Sequence, residues 1–371
     1  MTTEAFFERI KTQYENHLPF VAYRKPHVSK VQGVFQKNAD LFYTEDYSEK
    51  GFVFAPFDNA QKTVIMPFDA SEVHTSFYEY SEDLQTSKFI ETKESTDKVF
   101  HINLVNQGVD AIKKSAFKKV VLSRKEEVKL SDTNPIKIFK NLLNRYKSAF
   151  VYCWFHPKVG LWLGATPETL IKIEGKRFSI MALAGTQNYT GDLNVTWEDK
   201  EIQEQQFVTD FILDHIKPLS ESFNTSAVET VKAGNLVHLK TMISAQLKDD
   251  VALSSIINTI HPTPAVCGLP KQEAKEFILD QENYNREFYT GFLGELNFET
   301  KIAPRSGRRN IENRAYALTR NSTQLYVNLR CMQLKKGAAM IYVGGGITQS
   351  SDAEKEWQET VLKSLVIKSV I

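Results

Sequence analysis

The sequence predicts an α+β protein in which largely antiparallel sheets are sandwiched by helices. Three observations carry that expectation. Consecutive short strands follow one another over tight turns from Ala149 to Leu183, a meander that favours antiparallel pairing. From Phe117 onward, runs of strands are interleaved with a few amphipathic helices instead of alternating one for one. The 371 residues, 42 % hydrophobic and 25 % charged, suffice to bury a large core without staples.

The elements follow in order. The first third is irregular, with short aromatic strands at Gly51–Phe57 and Thr63–Phe68 and a polar stretch over Ser81–Lys98. Lys118–Ser123 reads as a buried strand. Asp132 or Thr133 caps a helix that carries Pro135 in its first turn and runs to about Tyr146. Ala149–Phe155 pairs with Leu161–Gly164 across HPKVG, and Thr169–Ile173 with Phe178–Leu183 across Glu174-Gly175-Lys176. Thr196–Leu219 is a long helix with the apolar stripe Phe207, Val208, Phe211, Ile212, Ile216 and Leu219. A buried element follows at Val237–Gln246 and a short helix at Gln272–Asp280. Strands at Phe288–Phe298 and Gln324–Gln333 flank a basic loop around Arg305–Arg309. Ala338–Val343 is a strand ending in Gly344-Gly345-Gly346, and Ser351 or Asp352 caps a last helix to about Val366.

Composition excludes several classes. Lys and Arg number 46 against 45 Asp and Glu, a net charge of +1, which leaves no footprint for nucleic acid or an anionic membrane. No segment approaches the roughly 18 apolar residues of a membrane span. The polar start MTTEAFFERIKTQYENH is not expected to be a signal peptide. Cys153, Cys267 and Cys331 are far apart and form no disulfide framework, so a cytoplasmic protein is expected.

Several residues invite chemistry, each with a plainer alternative. Gly344-Gly345-Gly346 before a helix either lets backbone N–H groups approach an anion or is a tight turn. Glu356, Glu359 and Lys363 share one face of that helix, fit either for a hard cation and a carboxylate or for solvent. Glu204 lies on the apolar stripe of the long helix, either partnered or compensating the helix start. Lys119 lies in the apolar KKVVLSR, either a desolvated base or an edge lysine reaching out to water. Glu168 in GATPETL is either an acid of raised pKa or a loop residue, and His261 in HPTPAVCG either touches a ligand or satisfies its turn. The eight histidines show no metal-binding spacing.

Taken in order, KVVLSR (119–124), GATPETL (164–170), ALAGT (182–186), EQQFVTD (204–210), HLKT (238–241), HPTPAVCGLP (261–270), REFYTGFLG (286–294), LYVNLR (325–330) and GGGITQSSDAEKEWQETVLK (344–363) resemble the chorismate-utilising enzymes. The resemblance covers about residues 101–371, with 1–100 a variable part of the same fold. It implies one structural domain of α/β/β/α layers. Lys119 stands where the water-adding members carry lysine and the anthranilate enzymes typically glutamine. HPTPAV likewise resembles the isochorismate and salicylate branch. The implied reaction is conversion of chorismate to isochorismate, with a salicylate-forming enzyme the nearest alternative and anthranilate synthase component I a more distant one. The product would feed menaquinone or a siderophore. Lys119 is implied as general base and Glu168 as general acid. Glu204 and Glu359 are implied as Mg²⁺ ligands with Glu356 beside them. Gly185, Thr186, His261, Ala265, Tyr326, Arg330, Gly344, Gly345, Gly346 and Lys363 are implied to contact substrate. The partner is the small molecule chorismate, with no amidotransferase subunit, and a monomer is expected. The sequence departs from the family at Gln205 (usually His), at Cys267 (usually Gly) and in REFYTG (commonly RGWYAG).

Overall fold

The computed structural model describes residues 1–81, 89–90, 95–233, 236–302 and 318–371. Most of the expected polar stretch (82–88 and 91–94) and the expected loop around Arg305–Arg309 lie outside the described residues.

Two antiparallel sheets, each of ten strands among the described residues, form the body of the molecule. Along the first run Gly268–Leu269, Lys119–Leu130, Ala338–Ile347, Cys331–Lys335, Gly160–Thr166, Phe150–His156, Phe20–Arg24, Lys30–Gln36 and Ser71–Phe77. Along the second run Ser220–Thr225, Leu236–Leu247, Arg177–Asn188, Thr169–Glu174, Leu318–Val327, Phe292–Ile302, Gly51–Ala55, Thr63–Pro67 and Phe42–Thr44. The expected meander is present, but it is divided between the sheets. Its first hairpin lies in one and its second in the other, and the chain crosses at Pro167-Glu168.

Strand alternation builds the layers. In Phe150–His156, Phe150, Tyr152 and Trp154 pack with Phe52, Phe54 and Leu293 of the second sheet. Val151, Cys153 and Phe155 point the other way, onto helices Thr3–Glu15 and Pro135–Arg145. Trp154 and Trp162 are fully buried between the sheets. Such an aromatic side chain buries roughly 150–250 Å², about 4–6 kcal/mol of gross hydrophobic stabilisation. Helices Asp199–Ile216 and Leu253–Ile260 cover the outer face of the second sheet. Ser95–Lys113 and Lys271–Gln281 cover the Lys119 end of the first. The order of layers is therefore helix, sheet, sheet, helix.

Four local expectations change. Asn134, not Asp132 or Thr133, caps the Pro135 helix: its Oδ1 accepts from the amides of Ile136 and Lys137. The long helix ends at Ile216, and a 3₁₀ turn carries the chain to Leu219. Gln324–Gln333 is two strands in different sheets, broken at Asn328–Arg330, and its partner begins only at Phe292. No glycine or proline marks that break. Arg330 itself adopts a left-handed conformation (φ 47°), at a cost of about 1–2 kcal/mol for a residue with a Cβ. The triple glycine is neither an anion-binding turn nor a tight turn. It continues the strand to Ile347, in register with Ser123, Leu122 and Val121. The N-terminus of the last helix, Ala353–Lys368, is occupied by its own Asp352, which accepts from the amide of Lys355.

The first third is also more regular than expected. It supplies four strands to the first sheet and three to the second, with Phe20–Arg24 bonded to Phe150–His156 and Gly51–Ala55 to Phe292–Ile302. Among the described residues, no helix is long and apolar enough to cross a membrane.

Candidate active site

Two crossovers between the sheets bracket one cleft. Pro167-Glu168 carries the chain from the first sheet to the second, and Asn328–Arg330 carries it back. They are stitched together: the amide of Ala165 donates to Arg330 O (3.0 Å) and that of Val327 to Glu168 O (3.1 Å). Asn328 backs the break, accepting from Tyr152 Oη at 2.6 Å and donating to Phe288 O at 2.8 Å.

Most of the residues picked from the sequence line this cleft. They are Lys119, Glu168, Gly185, Thr186, Glu204, Ala265, Arg330, Gly344, Gly345, Gly346, Glu359 and Lys363. Three do not. His261 lies behind it, its Nε2 donating to Thr290 O (3.2 Å) and its ring packed edge-on to Phe292. The two prolines that follow it signalled a rigid turn, but the ring bonds a carbonyl of the distant Thr290 instead. Tyr326 is in the aromatic core, stacked on Phe150 with centroids 4.0 Å apart. Glu356 is buried beneath the glycine strand.

Lys119 and Glu168 are the most informative pair. Both are almost fully buried. Burial lowers the Lys119 pKa, Glu204 opposes that, and Lys200 and Lys363 add to it. Its only ion contact among the described residues is to Glu204 Oε2, 3.8 Å from Nζ. Burial pushes Glu168 up to about 8, against the opposing pull of Lys119 and Arg330. Near neutral pH the environment thus favours a protonated carboxyl and weakens the hold of the lysine on its proton.

The acids gather along the glycine strand. A Cβ on Gly346 would lie 3.0 Å from Glu204 Oε2 and 3.0 Å from Lys119 Cε. One on Gly345 would lie 3.2 Å from Glu356 Oε2. Glycine here provides room for side chains to converge, which is why a run of three is needed in a strand that otherwise disfavours it. The last helix holds Glu359 against Lys363 (2.5 Å), and Lys363 Nζ also donates to Gly344 O (2.9 Å). Burial would raise the Glu359 pKa, but Lys363, Lys200 and Arg330 outweigh it and hold the carboxyl below its usual range. Burial raises that of Glu356 despite Lys200, whose Nζ lies 2.5 Å from Oε1. Glu356 Oε2 is buried without a partner.

These donors are all carboxylate oxygens, the chemistry that suits a hard divalent cation, and the orphaned oxygen is one that such an ion would satisfy. Among the described residues no group of three acids, imidazoles or thiols is already spaced to hold one. Holding an ion requires the acids to close in.

Sequence reasoning assigned no role to His238, which lines the cleft. Its Nδ1 lies 2.8 Å from Gly185 O and therefore carries the proton, leaving Nε2 buried and unpartnered. Burial and then Arg330 lower its pKa to about 3, so the ring is neutral and Nε2 is an acceptor. The signal was present as one histidine in the apolar LVHLK. The departures also have structural content. Gln205 Nε2 donates to Ala182 O (3.2 Å) and Thr241 Oγ1 (3.0 Å), tying the Glu204 helix to the sheet. At Gly268, beside Cys267, a Cβ would fall 2.3 Å from Lys119 O.

The fold and the cleft define a two-sheet protein in which buried acids and bases converge on one cleft between the sheets. The chain belongs to the family described as "Chorismate binding enzyme", which it matches over residues 57–371. It is 27 % identical over 279 residues to the "Salicylate biosynthesis isochorismate synthase" of Pseudomonas aeruginosa, covering 72 % of this chain and 53 % of that one. It is 27 % identical over 278 residues to isochorismate synthase MenF of Pasteurella multocida, covering 72 % and 60 %. The chain thus spans between half and three-fifths of the length of these curated relatives. The fold is that of MenF, the menaquinone-specific isochorismate synthase of Escherichia coli (TM-score 0.75, 19 % identity, 95 % of this chain and 88 % of that one).

Proposed function

We propose that this protein is an isochorismate synthase, converting chorismate to isochorismate in the cleft between its sheets. The observation that carries this reading is the pair Lys119 and Glu168. They are buried in one cleft, with pKa values moved toward a neutral amine and a protonated carboxyl. Lys119 takes a proton from the water that bonds to C2 of the ring. The ring double bonds shift, the C4–O bond breaks, and Glu168 supplies the proton with which the C4 hydroxyl leaves as water. Each residue needs the protonation state that its burial favours.

Chorismate carries two carboxylates. Arg330, whose guanidinium donates to no protein acceptor among the described residues, suits one of them as a fork. Lys363 and the glycine strand face the same space. Glu204 and Glu359, with Glu356 beside them, would hold Mg²⁺, which supplies positive charge for the other carboxylate. Thr186 and His238 Nε2 offer polar contacts to the ring substituents. The names of the relatives support the same reaction, and the menaquinone-specific assignment of the Escherichia coli structure supports menaquinone as its pathway.

The test is product analysis by chromatography, with chorismate supplied to the purified chain in Mg²⁺ and in EDTA. Isochorismate is expected with Mg²⁺ and not with EDTA. One pyruvate released per chorismate, without an added lyase, would replace this reading with a salicylate-forming one. No conversion of chorismate would overturn both.

A further inference from the structure

The acids that the proposed function gives to a divalent cation already hold one of their own. Lys200 lies one helical turn before Glu204 on Asp199–Ile216. Its Nζ is 2.5 Å from Glu356 Oε1 and 3.8 Å from Glu204 Oε1. It therefore bridges its own helix to the last one, Ala353–Lys368. Lys119 contacts only Glu204, and Lys363 only Glu359, so among the described residues Lys200 is the one ammonium shared between two of the acids. Lys200 thus supplies the positive charge that Glu356 and Glu204 share when no ion is bound.

We infer that Lys200 is a tethered counter-cation, which a divalent metal must displace from Glu356 and Glu204 in order to bind. This rests on the reading that those acids receive the metal. A Mg²⁺ ion takes oxygen ligands at about 2.0–2.1 Å in near-octahedral geometry. An ammonium hydrogen-bonded to Glu356 occupies the approach to the gap between Glu356 and Glu204 and repels the incoming charge. Lys200 is well placed to leave. Its side chain is 21 % exposed at the first turn of its helix, and a four-carbon stem can swing its head to water. Two consequences follow. The protein without metal avoids leaving Glu356 buried and uncompensated. The metal alone binds weakly, because each ion breaks a charge-assisted pair and adds two positive charges beside Lys200. A dianionic substrate offsets that charge, so metal and substrate favour each other's binding.

Mn²⁺ is a suitable probe, since it shares the oxygen preference and octahedral geometry of Mg²⁺. Free Mn²⁺ is counted by electron paramagnetic resonance during titration of the whole chain, without substrate, for wild type, Lys200→Met and Lys200→Arg. Lys200→Met is expected to bind Mn²⁺ at least tenfold more tightly than wild type, with Lys200→Arg within about threefold of wild type. The melting temperature of metal-free Lys200→Met should fall and be restored by Mn²⁺. If metal-free Lys200→Met does not fold, Lys200→Gln takes its place in the same comparison. Equal or weaker binding by a natively folded Lys200→Met overturns the displacement role and leaves the metal reading standing. No Mn²⁺ binding by any of the three proteins overturns both.

Discussion

Two buried charge clusters meet the Lys119–Leu130 strand, and they are built differently. In one, Glu282 and Arg286 face each other four residues apart, just past the end of helix Lys271–Gln281, both almost fully buried. Arg286 donates twice to Glu282, and also to Val121 O (2.7 Å), Val266 O (3.1 Å) and Thr290 Oγ1 (3.3 Å). Glu282 Oε1 accepts from the amide and hydroxyl of Ser123, each at 2.8 Å. Nothing there awaits a ligand. In the other, Lys119 has one ion contact at 3.8 Å, Glu356 keeps an orphaned oxygen, and Arg330 and Glu168 aim unbonded heads into a cleft. Burial is common to both; hydrogen-bond saturation separates a clamp from a site. The clamp also serves the site, because Val121 and Ser123 flank the cleft on the strand that carries Lys119, and Val266 lines its wall.

The contrast breaks most visibly at Lys119. Lys119→Ala should lower turnover by roughly 10²–10⁴-fold, the usual contribution of a positioned proton acceptor. Its denaturation midpoint should move little, because the lysine that is lost was costly to bury and poorly bonded. Steady-state kinetics and urea unfolding of the same preparation check both halves. Unchanged turnover would remove Lys119 from the chemistry.

The clamp should behave in the opposite way. Arg286→Met leaves Glu282 buried without its partner and should cost about 3–5 kcal/mol in urea unfolding. Adding Glu282→Gln to that variant should recover part of the loss, since the uncompensated charge is then gone. A loss under about 1 kcal/mol in Arg286→Met would mean that saturation is not what distinguishes the two clusters.

How much of this was legible in the sequence follows from the same distinction. Lys119, Glu204, Glu359 and Lys363 stand out as charges on apolar elements, and period alone puts Glu359 and Lys363 on one face. Glu168 and Arg330 owe their positions to crossovers between sheets. Local pattern does not encode these, so QLYVNLRCMQ reads as one strand until tertiary pairing divides it. Lys200 looks like a solvated residue at a helix start, and only the distant Glu356 gives it a partner. His261 and His238 exchange places for a related reason. Prolines flag the first as special, but its ring bonds the distant Thr290 carbonyl behind the cleft, whereas the free nitrogen of the second depends on a carbonyl across the sheet. In the first third, Gly51–Phe57 and Thr63–Phe68 are legible as strands, whereas Phe20–Arg24 is short and takes one of its two neighbours, Phe150–His156, from more than a hundred residues away.

The smallest expected effect lies in pH dependence, and it separates the two clusters without reference to turnover. Glu168 is held protonated up to about 8, whereas an unfolded glutamic acid loses its proton near 4.5. Between those values the folded chain binds more protons than the unfolded one, so stability falls as pH rises through that window and levels off above it. The same ionisation sets the alkaline limb of activity near pH 8, where the acid for the leaving hydroxyl is lost. The acidic limb belongs to Lys119, which must shed its proton and whose pKa burial has lowered. Glu168→Gln removes the carboxyl while keeping its shape. Urea midpoints of wild type and Glu168→Gln at pH 5, 6.5 and 8.5 should therefore diverge, with the variant losing less stability over that range. Parallel curves would show that Glu168 titrates alike in the folded and unfolded chains. In that case the unbonded carboxyl in the cleft would not be the proton donor that its burial makes it.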